Sequence, residues 1–210
     1  MNHAGLLAAA LFTFACASSS PEPVSAPTPD ADSAALARTA LRASITGREQ
    51  YYDIDGSSAG ALRTQIHRLG PKDESGKSRD ALTVWSLEWT YGTAQRGDSC
   101  ALRDVKVTLD VSVTLPRWTP PSTATAQLTD TWRAYLRNVK LHESGHRAIA
   151  ERNARELMSV LTALRGGSCD KLSGEATRTA ERIVADGRAR NRAYDIQTKH
   201  GQTQGVELGP

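Results

Sequence analysis

Residues 128–165, LTDTWRAYLRNVKLHESGHRAIAERNARELMSVLTALR, form the stretch that decides the fold. The stretch contains no proline, and the glycine pair at residues 166–167 closes it. Its apolar residues recur at steps of three and four, which is the period of an amphipathic α-helix. We therefore predict one long helix from residue 128 to about residue 165, with Thr129 or Asp130 as the N-cap.

The segments before this helix alternate apolar and polar residues, which is typical of strands with one buried face. Residues 82–91 and residues 102–116 both follow this pattern, and we predict that they form an antiparallel hairpin joined by a loop at residues 92–99. The other predicted elements are a strand over residues 49–55, a helix over residues 59–69 and a second helix over residues 173–192. This order predicts an α+β fold, in which a small antiparallel sheet packs on the long helix and the second helix.

The long helix carries the sequence HESGH, in which His142, Glu143 and His146 have the spacing of an H-E-x-x-H motif. His142 and His146 lie one turn apart on the apolar stripe, so both imidazoles need either a hydrogen bond or a metal ion inside the protein. In metallopeptidases with this motif, the histidines bind zinc and the glutamate is the general base. We predict these roles and a zincin-like fold; the alternative is a pair of hydrogen-bonded core histidines.

A catalytic zinc ion needs a third protein ligand and an open fourth position. His200 is the first candidate for this ligand, Asp195 is the second, and Glu175 and Glu181 are the other carboxylate alternatives. With His200 as the ligand, Asp195 would orient one of the metal-bound imidazoles. Tyr194 is a candidate to hydrogen-bond the oxyanion, with a packed aromatic side chain as the alternative. We expect one zinc ion per chain.

Two further features bear on how the chain would approach a substrate. Gly145 lies inside the helix, where glycine costs about 1 kcal/mol relative to alanine, so we expect another backbone or the substrate to come close there. The strand over residues 84–91 would pair with an extended peptide if it lies at the edge of the sheet.

The N-terminus has the pattern of an export signal over residues 1–17, with an apolar run too short to span a bilayer. Residues 18–33 are rich in Ser, Pro and Ala and predict a disordered tether. Residues 34–210 then form a single domain, which we expect to be periplasmic, secreted or anchored to the envelope. Cys16 is either removed with the signal or lipidated as the first residue of a lipoprotein, which would attach the domain to the membrane.

The chain has three cysteines, Cys16, Cys100 and Cys169. In an exported protein, Cys100 and Cys169 can form one disulfide, which leaves only Cys16 unpaired. The alternative is that Cys100 and Cys169 are separate buried thiols. We predict the disulfide because the export signal places the domain in an oxidising compartment.

The charge distribution bears on the class of partner. The net charge is +3, and basic residues are scattered among acidic ones. Even the arginine-rich segment at residues 178–192 contains Glu181 and Asp186, and no aromatic platform accompanies it. We therefore exclude nucleic acid as a partner and expect a peptide or protein substrate.

Several of these pieces together resemble a bacterial family known as domain of unknown function 922, whose members are predicted secreted zinc-dependent proteases. The matching pieces include YYDIDG at residues 51–56 and LPRW at 115–118, which are weak on their own. The specific combination is HESGH at 142–146 with YDIQTKHGQTQGV at 194–206. The resemblance implies that the HESGH motif and the C-terminal stretch belong to one site. It implies an exported zinc metallopeptidase; the alternative is a non-catalytic zinc-binding or envelope-associated binding protein.

Overall fold

The structure, a computed structural model, describes residues 43–209. The predicted export signal with Cys16, the predicted tether and the first part of the predicted domain lie outside the described residues. In chain order the elements are β1 (Ser44–Ile54), α1 (Ala59–Leu69), β2 (Leu82–Arg96), β3 (Ser99–Trp118), α2 (Ala126–Ala163), β4 (Arg165–Gly166), α3 (Cys169–Thr198) and a 3₁₀ turn (Gln202–Gln204). The fold is α+β, as predicted, with one small sheet and three α-helices in this part of the chain.

The sheet is mixed, and the prediction of a purely antiparallel sheet is wrong. The strand order is β1-β3-β2, with β4 paired to the first residues of β3. The predicted antiparallel hairpin of β2 and β3 is confirmed, and Trp85 lies opposite Val111 in it. However, β1 pairs with β3 and not with β2, and it runs parallel to β3 with Tyr51 opposite Leu115. Since β2 and β3 are antiparallel, β1 therefore runs in the direction opposite to β2.

The core lies between the sheet and the two long helices. Alternate residues of β3 are buried on the face toward α2: Val107, Leu109, Val111, Val113 and Leu115. On the opposite face the side chains of β3 are polar, so the predicted division into an apolar face and a wet face is confirmed. Each fully buried Val or Leu contributes about 1.5–3 kcal/mol to folding, so this one strand is a large part of the driving force.

The ends of several elements differ from the predictions. Helix α2 begins after Thr125, whose hydroxyl accepts a hydrogen bond from the N–H of Leu128 at 3.1 Å, so the predicted N-cap at Thr129 or Asp130 is wrong. Helix α3 begins directly after Ser168 and continues to Thr198, beyond the predicted range at both ends. The loop of the hairpin shortens to residues 97–98 because both strands extend into it.

The predicted disulfide between Cys100 and Cys169 is confirmed, with 5.3 Å between the two Cα atoms. It joins the start of β3 to the first turn of α3. Within the described part of the chain, β2 pairs only with β3, so one edge of β2 carries no neighbouring strand. Among residues 43–209, no helix has the length and apolar character needed to cross a membrane.

Candidate metal centre

Three side chains of metal-binding type meet where α2 packs against α3. They are His142 and His146 from α2 and Asp195 from α3, and one ligand atom from each lies within 4.8 Å of the other two. The two Nε2 atoms are 3.2 Å apart. The Oδ1 atom of Asp195 is 3.4 Å from Nε2 of His142 and 3.2 Å from Nε2 of His146. His142 and His146 are each only 6% exposed, so both residues are nearly buried.

The outer nitrogen of each imidazole contacts an amide oxygen. The Nδ1 atom of His146 is 2.8 Å from Oδ1 of Asn191, and the Nδ1 atom of His142 is 2.8 Å from Oε1 of Gln204. An amide oxygen only accepts hydrogen bonds, so each Nδ1 carries the proton and donates it. When Nε2 carries no proton, its lone pair is therefore directed into the cluster.

The ring of Tyr194 packs against both imidazoles and supports this arrangement. Its ring stacks on that of His142 at 5.1 Å with 13° between the planes, and its hydroxyl donates to the backbone carbonyl of His142 at 2.9 Å. The same hydroxyl accepts from the amide nitrogen of Gln204 at 3.0 Å, which leaves the amide oxygen of Gln204 to face His142. These contacts favour the packed aromatic side chain over the oxyanion donor for Tyr194.

The expected close approach at Gly145 is made by this same tyrosine. A Cβ atom at Gly145 would overlap the ring and hydroxyl of Tyr194. The neighbour is thus a side chain of α3, where the sequence led us to expect a backbone or a substrate. Gly145 lets α3 come close enough for Tyr194 to contact both imidazoles.

Glu143 lies in the same cleft but outside the cluster of three. Its side chain points toward β2, where Oε2 accepts a hydrogen bond from the hydroxyl of Thr83 at 2.6 Å. Burial raises the pKa of Glu143, although the hydrogen bond from Thr83 acts in the opposite direction. The residue is a nearly buried carboxylate with a raised proton affinity, which is the character of a general base.

His200 lies two residues beyond the end of α3 and contacts Asp195, a member of the cluster. Its Nδ1 atom is 3.2 Å from Oδ1 of Asp195, and its side chain is 46% exposed. The sequence favoured His200 as the ligand and Asp195 as its support, whereas the structure has Asp195 in the cluster and His200 beside it. Glu175 and Glu181, the other carboxylates considered, lie about 20 Å or more from Asp195 along the axis of α3.

The charge balance of the cluster favours a positive charge at its centre. Burial alone would raise the pKa of Asp195, but hydrogen bonds with His142 and His146 outweigh burial and hold this pKa below its usual range. Burial alone would lower the pKa of His146, but its hydrogen bonds with Asp195 and Asn191 raise it. The pocket thus attracts either a proton or a metal cation.

The cluster lies in an open cleft of about 700 Å³. Its floor contains the two histidines, Glu143 and Asp195, and the start of β2 borders it through Thr83. One wall is the loop between α1 and β2, and the other is the segment at residues 206–209. A cleft of this size is in the range of sites that bind a small ligand.

Over residues 49–201 the chain matches the family described as "Bacterial protein of unknown function (DUF922)". The chain belongs to this family. The resemblance noted in the sequence is therefore confirmed at the level of the family. The match includes the whole HESGH motif and both Asp195 and His200, but it ends before Gln204. No curated protein and no solved structure matches this DUF922 chain.

Three polar residues that contact the site were not found by reasoning from the sequence: Thr83, Asn191 and Gln204. Asn191 precedes Asp195 by four residues, so both lie on one face of α3. This spacing would have indicated Asn191 if the predicted helix had continued to Thr198. Gln204 stands in the C-terminal stretch that resembles the family, but nothing local marks its role. Thr83 is one of several threonines in the sheet and carries no signal of its own.

Proposed function

We propose that this protein is an exported zinc-dependent metallopeptidase whose zinc ligands are His142, His146 and Asp195. The observation that carries the proposal is the convergence of three atoms of metal-ligand type, the two Nε2 atoms and Oδ1 of Asp195, at 3.2–3.4 Å from one another. Lone pairs at this distance repel unless a cation or a proton lies between them. The amide oxygens of Asn191 and Gln204 direct both lone pairs inward.

The ligand set fits zinc better than the hard cations. Two imidazole nitrogens and one carboxylate oxygen make a three-ligand set of the kind found in catalytic zinc sites, with room for a fourth position. Calcium and magnesium prefer sets made of oxygen atoms alone. The hydrogen-bonded Nδ1 atoms match the outer contacts that orient zinc-binding histidines in general. We therefore expect one zinc ion per chain.

Glu143 is the general base in this proposal. A bound zinc ion would polarise a water molecule and the carbonyl group of the substrate. Thr83 binds one carboxylate oxygen of Glu143 at 2.6 Å and leaves the other oxygen free to accept a proton. The raised pKa of Glu143 strengthens its affinity for that proton, which it can then donate to the leaving amine.

An extended peptide is the substrate class that the surroundings of the site favour. The free edge of β2 begins at the cleft, because Thr83 belongs both to β2 and to the lining of the cleft. A peptide that pairs with this edge as an additional strand would pass beside Glu143. The combination of edge strand and motif helix supports the zincin-like assignment, which we retain as part of the proposal.

The disulfide supports the expected location outside the cytoplasm. A disulfide between Cys100 and Cys169 persists in an oxidising compartment, such as the periplasm or the extracellular space. An export signal at residues 1–17 would deliver the chain there. Cys16 would then be either removed with the signal or lipidated, and lipidation would hold the domain at a membrane.

Glu143→Gln tests the proposal, with His142→Ala as the matched variant. Wild-type protein should contain about one zinc ion per chain and cleave members of an unbiased peptide library. Glu143→Gln should keep its zinc but lose activity by about 10²-fold or more, because the amide cannot accept the proton. His142→Ala should lose both. Undiminished cleavage by Glu143→Gln would show that the activity arises elsewhere, and loss of its zinc would make Glu143 a ligand.

The alternative is a non-catalytic zinc-binding protein, and the position of His200 is the observation that favours it. A structural zinc site is closed by four protein ligands. His200, whose Nδ1 atom is 3.2 Å from Oδ1 of Asp195, is a nearby residue that could supply a fourth ligand. In that case the wild-type protein would hold zinc with four protein ligands and cleave no peptide in the library.

A further inference from the structure

A second tight contact between α2 and α3 lies farther along the two helices from the candidate metal centre. A Cβ atom at Gly187 of α3 would overlap the side-chain amide of Asn153 on α2. Asn153 is fully buried, and within the described part of the chain neither polar atom of its amide has a hydrogen-bond partner. An unpaired amide in a core costs folding free energy, so the presence of Asn153 calls for an explanation.

The contact shares a helix face with the metal centre on both helices. On α3, Gly187, Asn191 and Asp195 follow one another at steps of four, so all three face α2. The contact at Gly187 is about 12 Å along the helix axis from Asp195. On α2, Asn153 lies two turns beyond His146 on the same face, about 10 Å along the axis.

The contact between Asn153 and Gly187 has a counterpart at the level of the metal centre. There Gly145 of α2 accepts the ring of Tyr194 from α3. Each helix thus contributes one glycine and receives one side chain from the other. One of these contacts lies beside the centre and the other lies farther along the helices. Together they fix both the separation of α2 and α3 and the angle between them.

We propose that Asn153 and Gly187 are positioning residues for the metal centre. They hold α3 at the distance from α2 at which Asn191 reaches His146 and Asp195 reaches both histidines. This inference rests on the proposed function, since it concerns the zinc ion of that site. Metal–ligand distances tolerate deviations of only about 0.2 Å, so a shift of α3 by part of the width of a methyl group would matter.

Gly187→Ala tests the inference, and Gly174→Ala is the matched control. Both changes add one methyl group to α3, but at Gly174 it would meet only the end of the Arg178 side chain, at 3.4 Å. We expect zinc affinity, measured by competition with a chelator, to fall at least tenfold in Gly187→Ala and to stay within twofold in Gly174→Ala. The visible spectrum of the Co²⁺-loaded protein should change only in Gly187→Ala.

Removal of the overlapping amide should rescue the variant. In the double variant Gly187→Ala with Asn153→Ala, the new methyl group has room, and affinity should return to within threefold of wild type. If Gly187→Ala does not fold, Asn153→Gln lengthens the same contact from α2 and should weaken zinc binding in the same way. Wild-type affinity in the folded single variant, or no recovery in the double variant, would overturn the inference alone. A wild-type chain that binds no zinc would overturn the proposed function as well.

Discussion

At the scale of single residues, the cluster depends on which of two neighbouring side chains completes it. The Oδ1 atom of Asp195 is the point that both imidazoles and His200 approach, at 3.2–3.4 Å. His200 contacts the cluster only through this oxygen and is about half exposed. The geometry therefore supports Asp195 as the third ligand of the proposed zinc site and His200 as the residue that orients it.

The variants Asp195→Ala and His200→Ala should separate these two roles. Asp195→Ala removes a ligand atom and should abolish zinc binding at micromolar zinc. His200→Ala removes a contact to a ligand, and such losses typically weaken metal binding by about 10–100-fold. Zinc content after dialysis and the dissociation constant would be measured for both variants. The reverse result, with zinc lost in His200→Ala and retained in Asp195→Ala, would restore the assignment that the sequence favoured.

The sequence could predict the two histidines of the cluster, but it could not predict which residue of α3 contacts them. The reason is physical. His142, Glu143 and His146 are related by helical spacing, which local sequence determines. Asp195 and His200 are five residues apart, and which of them reaches the cluster depends on where α3 ends and how closely it packs on α2. That packing is set by Gly145 and Tyr194, which lie on different helices and carry no shared local pattern.

At the scale of elements, periodicity predicted the hairpin and the existence of both long helices, because each has a regular apolar face. The C-terminal end of α3 was harder, since no glycine or proline stands where the helix ends. Lys199 and His200, with φ of 49° and 54°, turn the chain out of the helix before Gly201. The partner of β1 could not be predicted at all. Its pairing with β3 joins residues more than 60 positions apart, and no local signal specifies such a contact.

The contact of β2 with α2 also gives a testable prediction at this scale, through Thr83 and Glu143. The hydrogen bond from Thr83 lowers the pKa of Glu143, so Thr83→Val should raise that pKa. Because a general base works only when deprotonated, the acid limb of the kcat/KM profile should then shift to higher pH. We expect about a tenfold loss of kcat/KM near neutral pH with zinc content unchanged.

Thr83→Ser is the control for this contact, since it keeps the hydroxyl group and should retain most of the activity. The measurement is the pH profile of peptide cleavage for wild type and both variants. An acid limb that moves to lower pH in Thr83→Val, or does not move, would show that Thr83 does not tune the base. Loss of zinc in Thr83→Val would show instead that the contact is needed to hold α2 in place.

At the scale of the whole molecule, three kinds of connection hold α2 and α3 in the fold. The apolar face of β3 packs on α2, the disulfide joins β3 to the first turn of α3, and the proposed zinc ion would join the far end of α3 to α2. Helix α3 has a low share of large apolar residues, and its buried positions include Ala176, Ala180 and Gly187. Small side chains bury little area, so α3 depends more than α2 on attachments at its two ends.

The disulfide should therefore be a large part of the stability of the metal-free protein. Cys100 and Cys169 are 69 residues apart, and the loss of chain entropy in the unfolded state predicts about 4 kcal/mol of stabilisation. The double variant Cys100→Ser with Cys169→Ser should unfold at a correspondingly lower urea concentration, because its unfolded chain is less constrained. A non-reduced digest of the wild type, analysed by mass spectrometry, should contain the two linked peptides.

Zinc should raise the unfolding midpoint of both proteins, since it binds only the folded pair of helices. Free thiols in wild-type protein recovered from an oxidising compartment, or equal midpoints for wild type and double variant, would contradict this role of the disulfide.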